Sequence, residues 1–136
     1  MADTFQLEIA TPERLLVQEE VSSAELPGKD GYMGVLVGHA PLLGRLGAGV
    51  LSYEQGGQRR ALAVDGGFIE IFENHVSVLA DYAEFASDIS ADAARRELQQ
   101  GQQEVDRAKT QEESDAALAH AARAQARVDA ASNAGH

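Results

Sequence analysis

The sequence contains no cysteine and no tryptophan, only three prolines, and half as many basic residues as acidic ones. Without cysteine there is no disulfide, no thiolate nucleophile and no cysteine-ligated zinc site, a composition that suits a reducing compartment. Eleven Lys+Arg against 22 Asp+Glu give a formal charge of −11. That charge argues against nucleic acid as a partner, because a binder of phosphate backbones needs clustered cations to displace counterions. It argues equally against direct docking on an anionic lipid surface. No window approaches 18 continuous apolar residues, so no transmembrane helix is expected. Residues 1–10 alternate and carry acids, unlike a signal or transit peptide. The expectation is a soluble, acidic, intracellular chain whose 136 residues make one domain with an appendage, or a single large sandwich.

Catalytic constellations are missing as well. Gly28-Lys29-Asp30-Gly31 is Gly-rich but does not extend to a phosphate-binding G-x-x-x-x-G-K-[ST] loop, and Gly66-Gly67 lacks a dinucleotide fingerprint; both read better as turn glycines. His39, His75, His120 and His136 are isolated from one another, with no metal-ligand spacing, so no metal or cofactor is expected. Carboxylates are abundant, but nothing in their spacing singles out an acid/base pair. Residue chemistry alone points to a binding or structural protein rather than an enzyme.

What is present divides sharply near residue 88. Residues 1–87 hold 11 of the 13 glycines, all three prolines and every aromatic residue, whereas residues 88–136 hold 14 alanines in 49 positions. β-Branched and aromatic side chains suit a pleated sheet, while Ala, Gln, Glu and Arg lose little on entering a helix. Phe5, Leu7 and Ile9 alternate at a strand period. Short runs follow at Leu15–Val17 and Val21–Leu26. Val50–Tyr53 and Ala61–Val64 flank a hairpin turn at Gly56-Gly57, and Phe68–Phe72 and Val76–Leu79 flank Glu73-Asn74-His75, where Asn74 tolerates a positive φ. Strand-like runs at this spacing predict a β-sandwich or barrel.

Beyond residue 87 the punctuation is helical. Ser87-Asp88 and Ser90 are N-cap candidates, and Thr110-Gln111-Glu112-Glu113 has capping-box spacing, so two helices of about 18–20 residues should form an antiparallel hairpin. Ile89, Ala93, Leu98, Val105 and Ala108 make a thin apolar stripe interrupted by Gly101; Leu118, Ala121, Ala122, Ala126 and Val128 line the second helix. Burying alanine gains little, because transfer free energy follows apolar area. The hairpin is therefore expected to hold the sandwich weakly and to detach more readily than the sheet opens.

The segment Gly31-Tyr32-Met33-Gly34-Val35-Leu36-Val37-Gly38-His39-Ala40-Pro41-Leu42-Leu43 carries the most specific signal. Together with Gly66-Gly67-Phe68-Ile69-Glu70-Ile71 and Val76-Ser77-Val78-Leu79-Ala80-Asp81, it resembles the epsilon subunits of bacterial and plastid F-type ATP synthases. The resemblance spans essentially the whole chain, including Ala126-Arg127-Val128 in the helical tail. It implies an α+β chain: an N-terminal antiparallel β-sandwich over residues 1–87 followed by a C-terminal antiparallel α-helical hairpin over residues 88–136. It implies a non-catalytic rotor subunit that binds the gamma subunit and the ring of c subunits and couples proton flow to ATP synthesis. The mobile hairpin of such a subunit, when extended, reaches the beta (and alpha) subunits and impedes ATP hydrolysis. Membrane association would come only through the complex, at the cytoplasmic face of a bacterial plasma membrane rather than a plastid thylakoid.

Carried over position by position, the resemblance makes Gly31, Tyr32, Met33 and Gly34 a loop facing the c-ring, with Tyr32 where some members have an acid. His39, Ala40, Pro41, Leu42 and Leu43 become the segment facing gamma, with Val37 in place of a usual proline; a self-stabilising turn accounts for the same residues. His120, Arg123 and Arg127, at i, i+3 and i+7 on one helix face, become the contact with an acidic beta-subunit surface, against the plain reading of a solvated charged face. Some members bind ATP on the folded hairpin through an I-D-x-x-R-A motif, and a free-standing ATP-sensing module is the alternative function. Here Ile89-Ser90-Ala91-Asp92-Ala93-Ala94 puts Ser90 at the motif's Asp and Asp92 at its Arg, which would repel phosphate. A small sandwich enzyme using His39 or His75 is the remaining alternative.

Overall fold

Alternating residues bury one side of each strand and give the first 85 residues their layers. The structure, a computed structural model, describes residues 3–133; His136 therefore lies outside the described residues. Eight strands form first: β1 (Phe5–Ala10), β2 (Leu15–Val21), β3 (Ser23–Gly28), β4 (Gly31–Val35), β5 (Leu42–Arg45), β6 (Gly49–Gln55), β7 (Gln58–Phe72) and β8 (His75–Phe85). They hydrogen-bond in the order β2-β1-β8-β7-β6-β3-β4, with β5 paired to β7. A 3₁₀ turn at Ala86–Asp88 leads into helices α1 (Ala91–Arg107) and α2 (Gln111–Asn133).

The continuous sheet becomes a sandwich because β7 and β8 bend. The runs Ala61–Val64 and Phe68–Phe72, read as separate strands, are joined in β7 across Gly66 (φ +73°) and Gly67 (φ +117°). Residues with a Cβ rarely adopt these angles, so the glycines turn the strand without ending it. The first half of β7 lies with β6, β3, β4 and the end of β8. Its second half lies with β5, the start of β8, β1 and β2. Phe5, Leu7, Ile9, Leu26, Leu51, Leu62, Val64, Ile69, Ile71, Val76 and Val78 fill the space between the layers. Each such side chain contributes about 1.5–3 kcal/mol relative to its exposed state. Not every pairing is antiparallel: β1 runs parallel to β8, from Gln6↔His75 to Ala10↔Leu79.

Turn chemistry follows the residues. Gly56 and Gly57, with φ +58° and +80°, close the β6–β7 hairpin, and Glu73 and Asn74, with φ +49° and +59°, close β7–β8. Asn74 adds a tie, accepting the Gly38 N–H on Oδ1 at 2.8 Å.

Ser90 caps α1 by accepting the Ala93 N–H at 3.2 Å, and Thr110 caps α2 by accepting the Glu113 N–H at 3.0 Å. The helices run for 17 and 23 residues rather than two equal spans. Their packing corrects the expected stripes. Ala94 and Gly101 are the buried positions of α1, and Ala117, Ala124, Ala126 and Ala130 those of α2, whereas Leu118 is half exposed. Gly101 does not interrupt the interface but lets the two helices meet closely: a Cβ there would stand 3.1 Å from the Ala121 Cα. Small residues let two helices meet at the backbone, and a face of larger side chains would hold them apart. α2 then lies on the outer face of β6 and β7, where Ala126 and Ala130 join Ala63, Val50 and Ala61.

Candidate functional site

The hairpin covers one outer face of the sandwich and leaves the other open. On the open face, register places Phe68 of β7 opposite Leu79 of β8, Leu79 opposite Ala10 of β1, and Ala10 opposite Leu15 at the end of β2. Paired residues share a face, so these four make an apolar row across four strands. Phe68 is 59% exposed, Leu79 54% and Leu15 50%. At the β5 edge Leu43, 80% exposed, stands beside an open groove of about 550 Å³ lined also by Arg45, Phe68, Glu70, Ser77 and Leu79. The Arg45 guanidinium lies 5.8 Å from the Phe68 ring centre and supplies a cation at the rim. Phe72, 56% exposed, extends the patch toward the β7–β8 turn. An exposed apolar surface bordered by polar residues is a candidate contact surface.

The segment expected to face gamma adjoins this patch. His39, Ala40 and Pro41 form the turn between β4 and β5; the His39 N–H donates to the Leu36 carbonyl at 3.1 Å, and Nδ1 lies 2.7 Å from the Ala40 carbonyl. With the Gly38–Asn74 bond, this turn is braced from the β7–β8 hairpin. Leu42 packs against the core while Leu43 points outward.

Gly31, Tyr32, Met33 and Gly34 do not form a loop. They belong to edge strand β4, paired through Pro27↔Tyr32 and Leu26↔Met33 around a tight turn at Lys29-Asp30. Tyr32 remains 56% exposed, yet its hydroxyl accepts the Val50 N–H at 2.9 Å and its ring closes over Gly49. A larger residue at Gly49 would clash with that hydroxyl, since a Cβ there would stand only 2.5 Å from it. Met33 packs against the core.

His120, Arg123 and Arg127 each meet a carboxylate of the same chain, although Arg123 is still exposed and only Arg127 is largely covered. His120 Nδ1 meets Glu104 Oε1 of α1 at 2.9 Å. Arg123 Nε donates to Asp65 Oδ2 at 2.9 Å, and its guanidinium stacks 4.7 Å from the Tyr82 ring centre. Arg127 Nε donates to Glu84 Oε1 at 3.0 Å and to the Tyr82 hydroxyl at 3.1 Å, and its terminal nitrogen pairs with Glu97 of α1. Burial, then the hydrogen bond to Glu84 at 2.5 Å, pushes the Tyr82 hydroxyl well above the ordinary tyrosine range. Burial works against the charge of Arg127, but Glu84 and Tyr82 together outweigh it and hold its pKa above the usual value.

Asp65, Tyr82, Glu84 and Glu97 carry no mark in the sequence of this role, because strand pairing brings them together. The open apolar row had a faint signal: Phe68-Ile69 and Val78-Leu79-Ala80 are apolar on both faces of their strands. Among the described residues no His, Asp and Glu cluster is arranged to hold a metal ion, and no helix is long and apolar enough to cross a membrane.

Fold and surfaces thus define a protein of the sandwich-and-hairpin class, with one outer face closed by its own helices and the other apolar and exposed. Residues 4–86 match the family model for the ATP synthase delta/epsilon chain β-sandwich domain. The chain is 52% identical over 105 residues to the ATP synthase epsilon chain of Solibacter usitatus, covering 77% of this chain and 78% of that one. It is 40% identical over 136 residues to the epsilon chain of Nitratidesulfovibrio vulgaris, covering 98% and 100%. The chain belongs to the ATP synthase epsilon chain family. Its fold is similar to that of a chain in the Euglena gracilis mitochondrial ATP synthase OSCP/F1/c-ring structure, with a TM-score of 0.83 at 19% identity over 100% of this chain and 84% of that one. A chain of the Tetrahymena thermophila mitochondrial ATP synthase central stalk/c-ring matches with a TM-score of 0.67 at 13% identity, covering 92% and 94%.

Proposed function

We propose that this chain is a non-catalytic central-stalk subunit of a proton-translocating F-type ATP synthase, coupling proton flow to ATP synthesis. The open face of the sandwich, with Leu43 and the turn at His39–Pro41 on its edge, docks on gamma. The β4 edge, with Tyr32 foremost, meets the c-ring. Membrane attachment is through the complex, at the cytoplasmic face of a bacterial plasma membrane. The observation that carries this reading is the apolar row Phe68–Leu79–Ala10–Leu15 on a face that the hairpin leaves bare. Such a row has no internal task in a sandwich whose core is already filled from the other side of the same strands.

The hairpin supplies regulation: extended, it carries Arg123 and Arg127 to acidic surface on beta (or alpha) subunits and slows ATP hydrolysis. The ATP-sensing alternative is less favoured, since Ser90 is engaged as a cap, Asp92 pairs with Arg95, and both arginines of α2 already hold carboxylates. Phe68→Ser with Leu79→Ser in the tagged full chain tests the docking assignment. Both side chains are more than half exposed, so cooperative unfolding should persist while co-isolation with gamma and the c-ring is lost. Undiminished co-isolation would refute the assignment.

A further inference from the structure

The junction between hairpin and sandwich is apolar but thin. Ala61, Ala63, Ala126 and Ala130 form most of it, with Val50, Ile89, Tyr82 and Val128 as its larger members, and alanines bury little area per contact. The charged contacts therefore carry an unusual share of the hold. They are concentrated on two arginines one turn apart. Arg123 engages Asp65 of β7 and the Tyr82 ring, and Arg127 engages Glu84 and Tyr82 of β8 together with Glu97 of α1. The Arg127 side chain is 16% exposed and that of Arg123 45%, so the first set of bonds is largely covered and the second lies open to water and salt.

Resting on the reading in which the hairpin leaves the sandwich, we infer that this network is a latch in which Asp65, Tyr82 and Glu84 stand in for an acidic partner surface. A guanidinium offers one planar fork of donors, and Arg127 uses both its Nε and a terminal nitrogen within the chain. Arg127 cannot be given to a partner without leaving Glu84 and Tyr82, and Arg123, four residues earlier on the same helix, leaves Asp65 with it. A surface that competes must present carboxylates to two arginines one helical turn apart, with an aromatic or apolar group between them: an acidic protein surface. Asp65 and Glu84 lie outside the hairpin, so they set the release of the arginines without forming part of what the hairpin presents.

The test is Asp65→Asn with Glu84→Gln in the full chain, followed by amide hydrogen exchange. Loss of two charge-assisted bonds should speed exchange in α1 and α2 about tenfold while β1 and β6 keep their protection. Unchanged exchange in the hairpin overturns the latch. Should the substitutions loosen the sandwich as well, the unaltered chain is followed in rising NaCl up to about 1 M, where ion pairs are screened within about 3 Å. Hairpin exchange that accelerates with salt while the sandwich stays protected supports the latch, and a flat response overturns it. In the assembled ATP synthase the same double variant should lower ATP hydrolysis severalfold. Faster hairpin exchange with unchanged hydrolysis keeps the latch and refutes the inhibitory reading instead.

Discussion

Replacing Gly67 by alanine puts the bend in β7 to a quantitative test. Gly67 has φ +117°, and a methyl group there would overlap the Leu79 carbonyl oxygen and stand 2.9 Å from the Ala80 Cα. Both neighbours are backbone of the paired strand β8, so neither moves without breaking the Gly67↔Ala80 register. The backbone conformation alone costs a residue with a Cβ about 1–3 kcal/mol, and forced overpacking adds about 1–3 kcal/mol. A loss of about 2–6 kcal/mol is expected, a large part of the roughly 5–15 kcal/mol that holds a small domain together. Gly57→Ala is the control. Gly57 also has a positive φ, +80°, but a Cβ added there would meet nothing within 4 Å, so only a backbone cost of about 1 kcal/mol applies. Urea unfolding followed by circular dichroism reads both. At a slope of about 2 kcal/mol/M the Gly67 variant should unfold about 1–3 M earlier than the parent. Equal losses in the two variants would refute the claim that close strand approach requires glycine at 67.

Three further outcomes follow from the same geometry. Gly101→Leu should push α1 from α2 at the Ala121 crossing and raise hairpin exchange while the sandwich keeps its unfolding midpoint; tight hairpin protection in that variant would contradict the backbone contact at 3.1 Å. Thr110→Ala removes the acceptor for the Glu113 N–H and should cost the second helix about 1 kcal/mol, read as a lower thermal midpoint for helical signal. Tyr82 binds its proton more tightly folded than unfolded, because burial and then Glu84 raise its pKa above the ordinary value of 10.0. Stability is therefore full below about pH 10 and falls as pH rises above it. Tyr82→Phe should flatten that alkaline decline, whereas an unchanged pH slope would show that Tyr82 is not its source; Tyr53, also raised by burial, acts in the same direction.

Particular residues show how far local reading reaches. Gly56-Gly57, Asn74, Ser90 and Thr110 act through backbone angles and caps within four residues, so the turns and helix starts they mark stand where the sequence put them. Gly66-Gly67 is the contrasting case. Read as a gap between two strands, the pair is a bend inside one, because only the pairing of β7 with β8 on both sides keeps the chain extended through it. Gly31–Gly34 misled for a related reason: glycine-rich sequence has weak strand preference of its own, and pairing with β3 imposes the strand. Gly101 looked like a defect in a helical stripe and is a point of close helix contact, against Ala121.

By itself the sequence determined an acidic chain split into a sheet-forming part and an alanine-rich helical part, with its turns, its caps and a family signature that spans both. Those properties depend on side-chain propensity and on backbone angles, which act over a few residues. Tertiary structure decided which face stays open and which arginine meets which carboxylate. Arg123 reaches Asp65 across 58 positions and Arg127 reaches Glu84 across 43, separations at which register and strand order, not local preference, choose the partner. The bend at Gly66-Gly67 joins these outcomes. It places Asp65 on the face beneath the hairpin and Phe68, three residues later, on the face left open for a partner.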